Sequence, residues 1–462
     1  MENIKKLLST EQCKYVYIKA LETLSKIGVQ CDHQPTVHEL SGKTSIKFKK
    51  NRILFDSSQI HQFFDTRKNE IISRQKEELP FTAAGHWNSP YLCDPVTNKP
   101  RPASEHEAIS MAKLSEALGS KNNPIPVSPG NIPPRLNTLV CERLALKHTR
   151  NMGCCLTATD EYEVESIVQM FQIAERRYEM AIEPLISPLR LNSENMDVYY
   201  RYRDRKDFDI TVFSAIPMAG ATAPLALPSS LIMALAEALA LDYIFYLLSD
   251  GKIDAFGYRL EPFDLRYGNI VFGSPEWILF KQAINEVMAY LTGVVQRGGT
   301  FRTTSRNVDG QAIVQASSSF IWQAALGARS FGALGQMCID QVWSPVMAML
   351  EKEMLLFGER LIKGFDNCWF EKDPIQTITD GIEENNFFTE EGTLNVMHNM
   401  YWDSKLFTNE NFNTWIDSGG KDSHAKAWEE AQAIIKQHDF LLSEKQRKEI
   451  DLVYEKAVTR LI

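Results

Sequence analysis

The sequence has no CxxC pair, no HExxH helix, no GxSxG elbow and no glycine-rich phosphate loop. Those absences remove the usual signatures of a zinc site, an α/β-hydrolase nucleophile and a nucleotide-binding turn. The eight cysteines, at 13, 31, 93, 141, 154, 155, 338 and 368, follow no regular spacing. They read as reduced, mostly buried thiols rather than a disulfide framework. Cys154 and Cys155 fall on a candidate strand, where neighbouring side chains face opposite sides and cannot easily share one metal. With nine dispersed histidines besides, no protein-bound metal is expected. Charge of one sign is never gathered into a block. The formal −9 is spread along 462 residues, which suits solubility and offers no nucleic-acid surface. The opening MENIKKLLSTEQCKY lacks an apolar h-region and a small-residue cleavage site, so a cytoplasmic location is expected. The most apolar run, 231–248, carries Glu237 and Asp242, costly at mid-bilayer, and reads as a buried helix flanking a sheet.

What is present is an ordinary globular composition, 44% hydrophobic and 24% charged, long enough for a sizeable core. From Ser9 to Gly28 apolar residues recur at helical spacing between a capping hydroxyl and a terminal glycine. Residues 45–55 alternate like a small hairpin, and Asp56 can cap the helix that follows. After Pro80, short apolar segments closed by Gly, Pro or Ser alternate with helical stretches, the rhythm of repeated βα units. Strand ends are predicted near 129–130, 157–160, 187–190, 218–220, 256–258, 300–303 and 331–335, with an eighth strand before Gly85. The intervening helices are predicted at 105–118, 136–148, 161–175, 229–248, 275–291 and 311–326. The fold class this implies is α/β, a (β/α)8 TIM-type barrel over 81–365. An N-terminal helix and hairpin cap would cover 1–80, and a helical C-terminal extension, with helices at 423–437 and 443–459, would cover 366–462. A doubly wound sheet is the alternative, but its usual Gly-rich turn is missing.

In a parallel barrel, binding groups sit on loops at the strands' carboxyl ends. Three such loops are rich in small residues and proline: 126–134, 187–190 and 217–228. Aromatics near predicted strand ends, Tyr91, Tyr258, Phe301, Phe331 and Trp343, could line a mouth suited to a quaternary ammonium, at about 0.5 to 2 kcal/mol per ring contact. Each alone is more often ordinary core. Asp264 and Arg266, and then Arg302, Arg306, Asp309 and Gln311, are polar candidates that either meet a substrate or tie a loop to the rim. Paired-carboxylate chemistry from Glu237, Asp264 and Asp309 has no spacing to support it.

Several segments, in this order, resemble the trimethylamine methyltransferase family. They are ALETLSKIGV, RPASEHEAISMAKLSEAL, PVSPGNIPP, ISPLRL, PMAGATAPLALPSSLIMALAEALA, FDLRYGNIVFGSPE, TSRNVDGQA and WIDSGGKDSHAKAWEEA. The resemblance runs from about residue 10 to the C-terminus and implies a (β/α)8 barrel. It also implies methyl transfer to the Co(I) of a corrinoid, a cobalamin-type cofactor carried by a separate protein docked over the barrel mouth. Trimethylamine-using members carry pyrrolysine, and every position here is a standard residue. The chain is therefore similar to the non-pyrrolysine branch, whose donors are quaternary amines such as glycine betaine, proline betaine or carnitine. On this resemblance Tyr91, Tyr258, Arg266, Phe301, Asp309, Gln311, Phe331 and Trp343 are the candidate substrate-binding residues. Asn131, Arg190, Met218, Gly220 and Thr222 are the candidates on loops facing the corrinoid. No catalytic acid or base is named, because loss of methyl from a quaternary ammonium leaves a neutral amine. Two departures from the family pattern stand out: Gly392-Thr393 in place of a histidine-threonine pair, and Gln315 in place of a glutamate. They motivate an alternative, a barrel that binds a methylated amine without corrinoid methyl transfer. A homo-oligomer is compatible with either.

Overall fold

Ser9 opens the first helix. Its hydroxyl accepts from the Gln12 N–H while the Gln12 side chain reaches back to the Ser9 N–H, a reciprocal cap that satisfies two orphan donors. The helix Thr10–Lys26 is followed at Gly28 by a φ of +67°, and a Cβ there would lie 1.9 Å from the Ile53 carbonyl oxygen. Only glycine fits both demands. The strands Ile46–Lys49 and Arg52–Phe55 form the expected antiparallel hairpin. Asp56 then accepts from the N–H groups of Ser58 and Gln59 at the start of the helix Ser57–Ser73.

The computed structural model describes residues 5–73, 81–83, 85, 87–120, 125–150, 158, 160–365, 373–388, 397 and 400–462. Residues 157 and 159 of the 157–160 strand end, the pair Cys154-Cys155, Cys368 and Gly392-Thr393 lie outside the described residues.

Every helix expected between 105 and 326 is present: Glu105–Ala117, Asn137–His148, Glu161–Ile173, Leu227–Leu248, Pro275–Thr292 and Gly310–Ala325. Their starts are fixed by local chemistry. Ser104 forms a capping box with Glu107, Asp160 and Asp309 accept from first-turn N–H groups, and Ser274 caps with Pro275 at the first helical position. Within 81–365, two more α-helices among the described residues, Ser193–Tyr202 and Pro345–Lys363, fall outside the sequence expectation. The first is dense in tyrosine and has weak intrinsic preference; Asn192, accepting from the Glu194 and Asn195 N–H groups, starts it.

Among the described residues the strands are short and gathered in five small sheets. Tyr178–Ile182 runs parallel to Phe208–Val212, Met218–Ala219 to Glu261–Asp264, and Gly298–Thr300 to Ser330–Gly332. Ser330–Gly332 also pairs in parallel with Thr82–Ala83, so the first strand of the βα region lies against one from its far end. Some predicted strand ends are displaced. Residues 256–258 carry no strand, and pairing there starts at Glu261. Residues 187–190 lie beyond Tyr178–Ile182, in a turn between Leu185–Ile186 and Arg190–Leu191 that joins the N-terminal hairpin through Gln30. Near 129–130 the described residues make isolated parallel bridges, Pro129 to Ala103 and Val127 to Ser89.

The helix Leu227–Leu248 is long and apolar enough to cross a membrane by length and composition, and 78% of its most apolar stretch is buried inside the protein. Its two acidic residues have partners. Glu237 accepts from the Ser187 hydroxyl at 2.6 Å and the Leu189 N–H at 2.8 Å, and Asp242 lies 3.3 Å from Arg67. The C-terminal helices Ser423–Gln437 and Glu444–Leu461 wrap the outside. The former packs on Glu105–Ala117 and Pro345–Lys363, the latter on Asn137–His148 and Glu161–Ile173.

Candidate functional site

A cavity of about 390 Å³ opens where several parallel strands end. Its wall takes Gly85 just after Thr82–Ala83, Phe213 just after Phe208–Val212, Arg302 after Gly298–Thr300, and Ala333 after Ser330–Gly332. Residues leaving the carboxyl ends of parallel strands are where α/β proteins gather binding groups. Glycines let the walls approach. A Cβ on Gly257 would lie 2.2 Å from the Ser214 hydroxyl oxygen, and one on Gly299 would lie 2.5 Å from the Phe331 ring.

Among the described residues three rings face this space: Trp87, Phe213 and Tyr258. Trp87 and Phe213 are partly exposed and meet edge to face, with centroids 5.8 Å apart. The fully buried Gln336 fixes the Trp87 backbone by accepting from its N–H and donating to its carbonyl, both at 3.0 Å. Tyr258 is buried with its hydroxyl donating to the Leu231 carbonyl at 3.1 Å, and burial pushes the phenol well above its ordinary pKa. It stays neutral, an aromatic wall rather than a proton carrier.

Opposite charges also line the cavity. Glu261 is 3% exposed and accepts from Lys281 at 2.5 Å and from the Trp277 indole. Burial pushes the Lys281 ammonium below its ordinary range, and the carboxylate of Glu261 pulls it back up. Arg302 lies 2.8 Å from Asp340 and over the Phe272 ring at 4.7 Å. Burial raises the Asp340 carboxyl, against the pull of Arg302. Arg259 is different. It lines the same wall, yet no hydrogen bond or ion pair reaches it among the described residues. Burial and the nearby charge of Arg302 hold its pKa below the usual guanidinium range against the through-space pull of Glu261 and Glu183, and it is nevertheless cationic at neutral pH. No cluster of three or more metal-ligating side chains occurs among the described residues.

Of the eight substrate-binding candidates, Tyr258 alone lines the cavity. Phe301 and Phe331 are fully buried and pack with Phe81 and Phe320 in a four-ring core at centroid distances of 4.8 to 5.6 Å. Both rings turn away from the cavity that the adjacent Arg302 and Gly332 line, and pack instead on Phe81 and on Phe320 of the helix Gly310–Ala325. Trp343 is buried with its indole donating to the Leu334 carbonyl. Tyr91 is 44% exposed in a strand beside Val342. Arg266 is exposed and closes a loop onto Asp264 at 2.6 Å. Asp309 accepts from the Ala312 N–H as a helix cap, and Gln311 is exposed and donates to the Thr304 hydroxyl. Trp87, Phe213 and Arg259 were the residues to find. Trp87 and Phe213 follow apolar segments by one or two positions, and Arg259 is the neighbour of Tyr258.

The corrinoid-facing candidates are split. Met218 is registered against Glu261, which brings its loop beside the cavity wall; Gly220 has φ +101° there and the Thr222 hydroxyl accepts from the Met218 N–H. Asn131 and Arg190 are exposed elsewhere, Arg190 paired to Gln30 of the N-terminal sheet. Gln315 accepts from the Thr303 hydroxyl and the Thr304 N–H, tying down the loop that carries Arg302.

Residues 2–450 match the model of the trimethylamine methyltransferase family. The chain belongs to this family. Curated relatives include trimethylamine methyltransferase MttB2 of Methanosarcina mazei, 24% identical over 54% of this chain and 50% of that protein. The glycine betaine methyltransferase of Desulfitobacterium hafniense strain Y51 is 21% identical over 66% of each chain. A trimethylamine methyltransferase of Desulfitobacterium hafniense strain DCB-2 is 20% identical over 93% of this chain and 89% of its own length. The chain spans about half the length of the first curated relatives it matches.

Proposed function

We propose that this family member is a methyltransferase that moves a methyl group from a quaternary amine, such as glycine betaine, proline betaine or a carnitine-like compound, to the corrinoid of a partner protein. The observation that carries the donor class is the convergence of Trp87, Phe213 and Tyr258 on one cavity, because ring faces meet a diffuse, poorly hydrated cation well. A Co(I) corrinoid brought by the partner would supply the nucleophile. The electrons of the broken C–N bond stay on nitrogen and give a neutral tertiary amine, so no proton has to move. That requirement agrees with a cavity whose phenol is held neutral and whose Glu261 and Lys281 are occupied with each other. What this chain contributes is orientation and exclusion of water. The loop carrying Met218 and Thr222, registered beside Glu261, is the part of the rim best placed to meet a docked partner.

On the same reading the parallel pairs are arcs of one closed (β/α)8 barrel over 81–365. The pairing of Thr82–Ala83 with Ser330–Gly332 supports closure, since it joins the first strand of the span to one near its end. The test of function is incubation with a reduced corrinoid protein and a panel of betaines, watching for the methyl-cobalt absorbance spectrum. Formation of that spectrum with at least one betaine is the expected result. A chain that binds betaines in calorimetry but never methylates any corrinoid partner is instead the non-catalytic binder.

A further inference from the structure

Of the cations lining the cavity, Lys281 pairs with Glu261 in the wall and Arg302 with Asp340 outside the lining, whereas Arg259 makes no ion pair among the described residues. The carboxylates of Glu261 and Glu183 act on Arg259 only through space, without a hydrogen bond or ion pair, so its guanidinium, taken partly out of water, keeps donors that an anion arriving with the ligand would satisfy. Two more wall groups are short of partners: the Thr300 hydroxyl and the Arg302 Nε are buried and make no hydrogen bond. The unmatched polarity therefore has a direction. It is donor-rich and cationic, and it shares one cavity with the Trp87 and Phe213 rings, which suit a cation.

We propose that Arg259 anchors a carboxylate, so that the ligand of this cavity is a short zwitterion, with its quaternary ammonium against Trp87 and Phe213 and its carboxylate on the guanidinium. The inference rests on the quaternary-amine reading above and narrows it. Betaines that carry a carboxylate are accepted, whereas choline and simple methylamines place a lone cation in a wall that already holds a guanidinium with no directly bonded carboxylate. Like-charge juxtaposition then acts as the selectivity filter.

Isothermal calorimetry on the full chain, in a low-chloride buffer and without any corrinoid protein, tests this directly. The ligands are glycine betaine, choline and 3,3-dimethylbutanoate, the last having the shape and carboxylate of the betaine without its positive charge. Glycine betaine is expected to bind at least tenfold more tightly than choline. Arg259→Gln should weaken glycine betaine on the order of 30-fold, the usual weight of a charge-assisted hydrogen bond, and leave choline unchanged or improved. Arg259→Lys should recover part of the loss, and circular dichroism melting shows whether each variant is folded. Equal affinity of the wild-type chain for choline and glycine betaine overturns the proposal. So does an unchanged betaine affinity in a folded Arg259→Gln chain. Binding of 3,3-dimethylbutanoate but not glycine betaine, lost in Arg259→Gln, sustains the carboxylate anchor while refuting the quaternary-amine reading.

Discussion

Glu142 sits inside the helix Asn137–His148, 5% exposed, with its Oε2 lacking any partner, and burial pushes its carboxyl up to about 7. Its folded pKa therefore stands above its ordinary value of 4.5. The folded chain holds this proton more tightly than the unfolded one, so the group is harmless below pH 4.5 and erodes stability as pH rises through about 7. Glu142→Gln should be nearly neutral at pH 4 and stabilise by roughly 3 kcal/mol at pH 8, read as a difference in urea midpoints at the two values. In the cavity, Trp87→Ala should weaken glycine betaine by about 3- to 30-fold in calorimetry, the weight of one lost ring contact. Phe320→Ala, in the four-ring core, should lower the melting temperature without that selective loss. The residue scale is also where sequence reading went least far. Aromaticity near a strand end is visible at Phe301 and Phe331, but the side each ring takes is set by packing with Phe320 and with Phe81, which lies far along the chain. Tyr258 and its neighbour Arg259 both reach the wall because no strand forms at 256–258, and nothing local announces that.

Helices were far more legible than strands, for a physical reason. Ser9, Ser104, Asp160, Ser274 and Asp309 write helix starts into local chemistry, and the apolar spacing extends over three or more turns. The strands span two to five residues, too few for a period to show, and their limits depend on partners far along the chain. The helix Leu227–Leu248 shows what tertiary structure adds. Asp242 in it stands at about 6, raised by burial against the pull of Arg67, which also reaches Asp254 at 2.7 Å. Arg67→Met should cost about 3 to 5 kcal/mol in chemical denaturation because it strands a buried carboxylate, and adding Asp242→Leu should restore much of that loss.

At the scale of the molecule, the final helices act as an outer girdle. Asp451 accepts from Arg143 at 2.7 Å and from Lys147 at 2.8 Å, holding Glu444–Leu461 against the helices it covers. A chain ending at residue 440 should lose that cover, melt at a lower temperature and bind a hydrophobic dye such as ANS, with ligand affinity affected less than stability. The helical character of this C-terminal part was readable from its amphipathic pattern, while its docking onto Glu105–Ala117 and Glu161–Ile173 was not, because no local signal names the surface a helix will cover. The pairing of Thr82–Ala83 with Ser330–Gly332 bears on how the chain is made. Gln336 holds Trp87 across 249 residues of sequence, so a ribosome has to release nearly three quarters of the chain before either wall of the ligand cavity has its counterpart. Until then Phe81 waits with its core partners unsynthesised, a nascent apolar edge that invites chaperone capture. Translation arrested near residue 320 should leave a protease-sensitive chain, and arrest beyond the helix Pro345–Lys363 a resistant one.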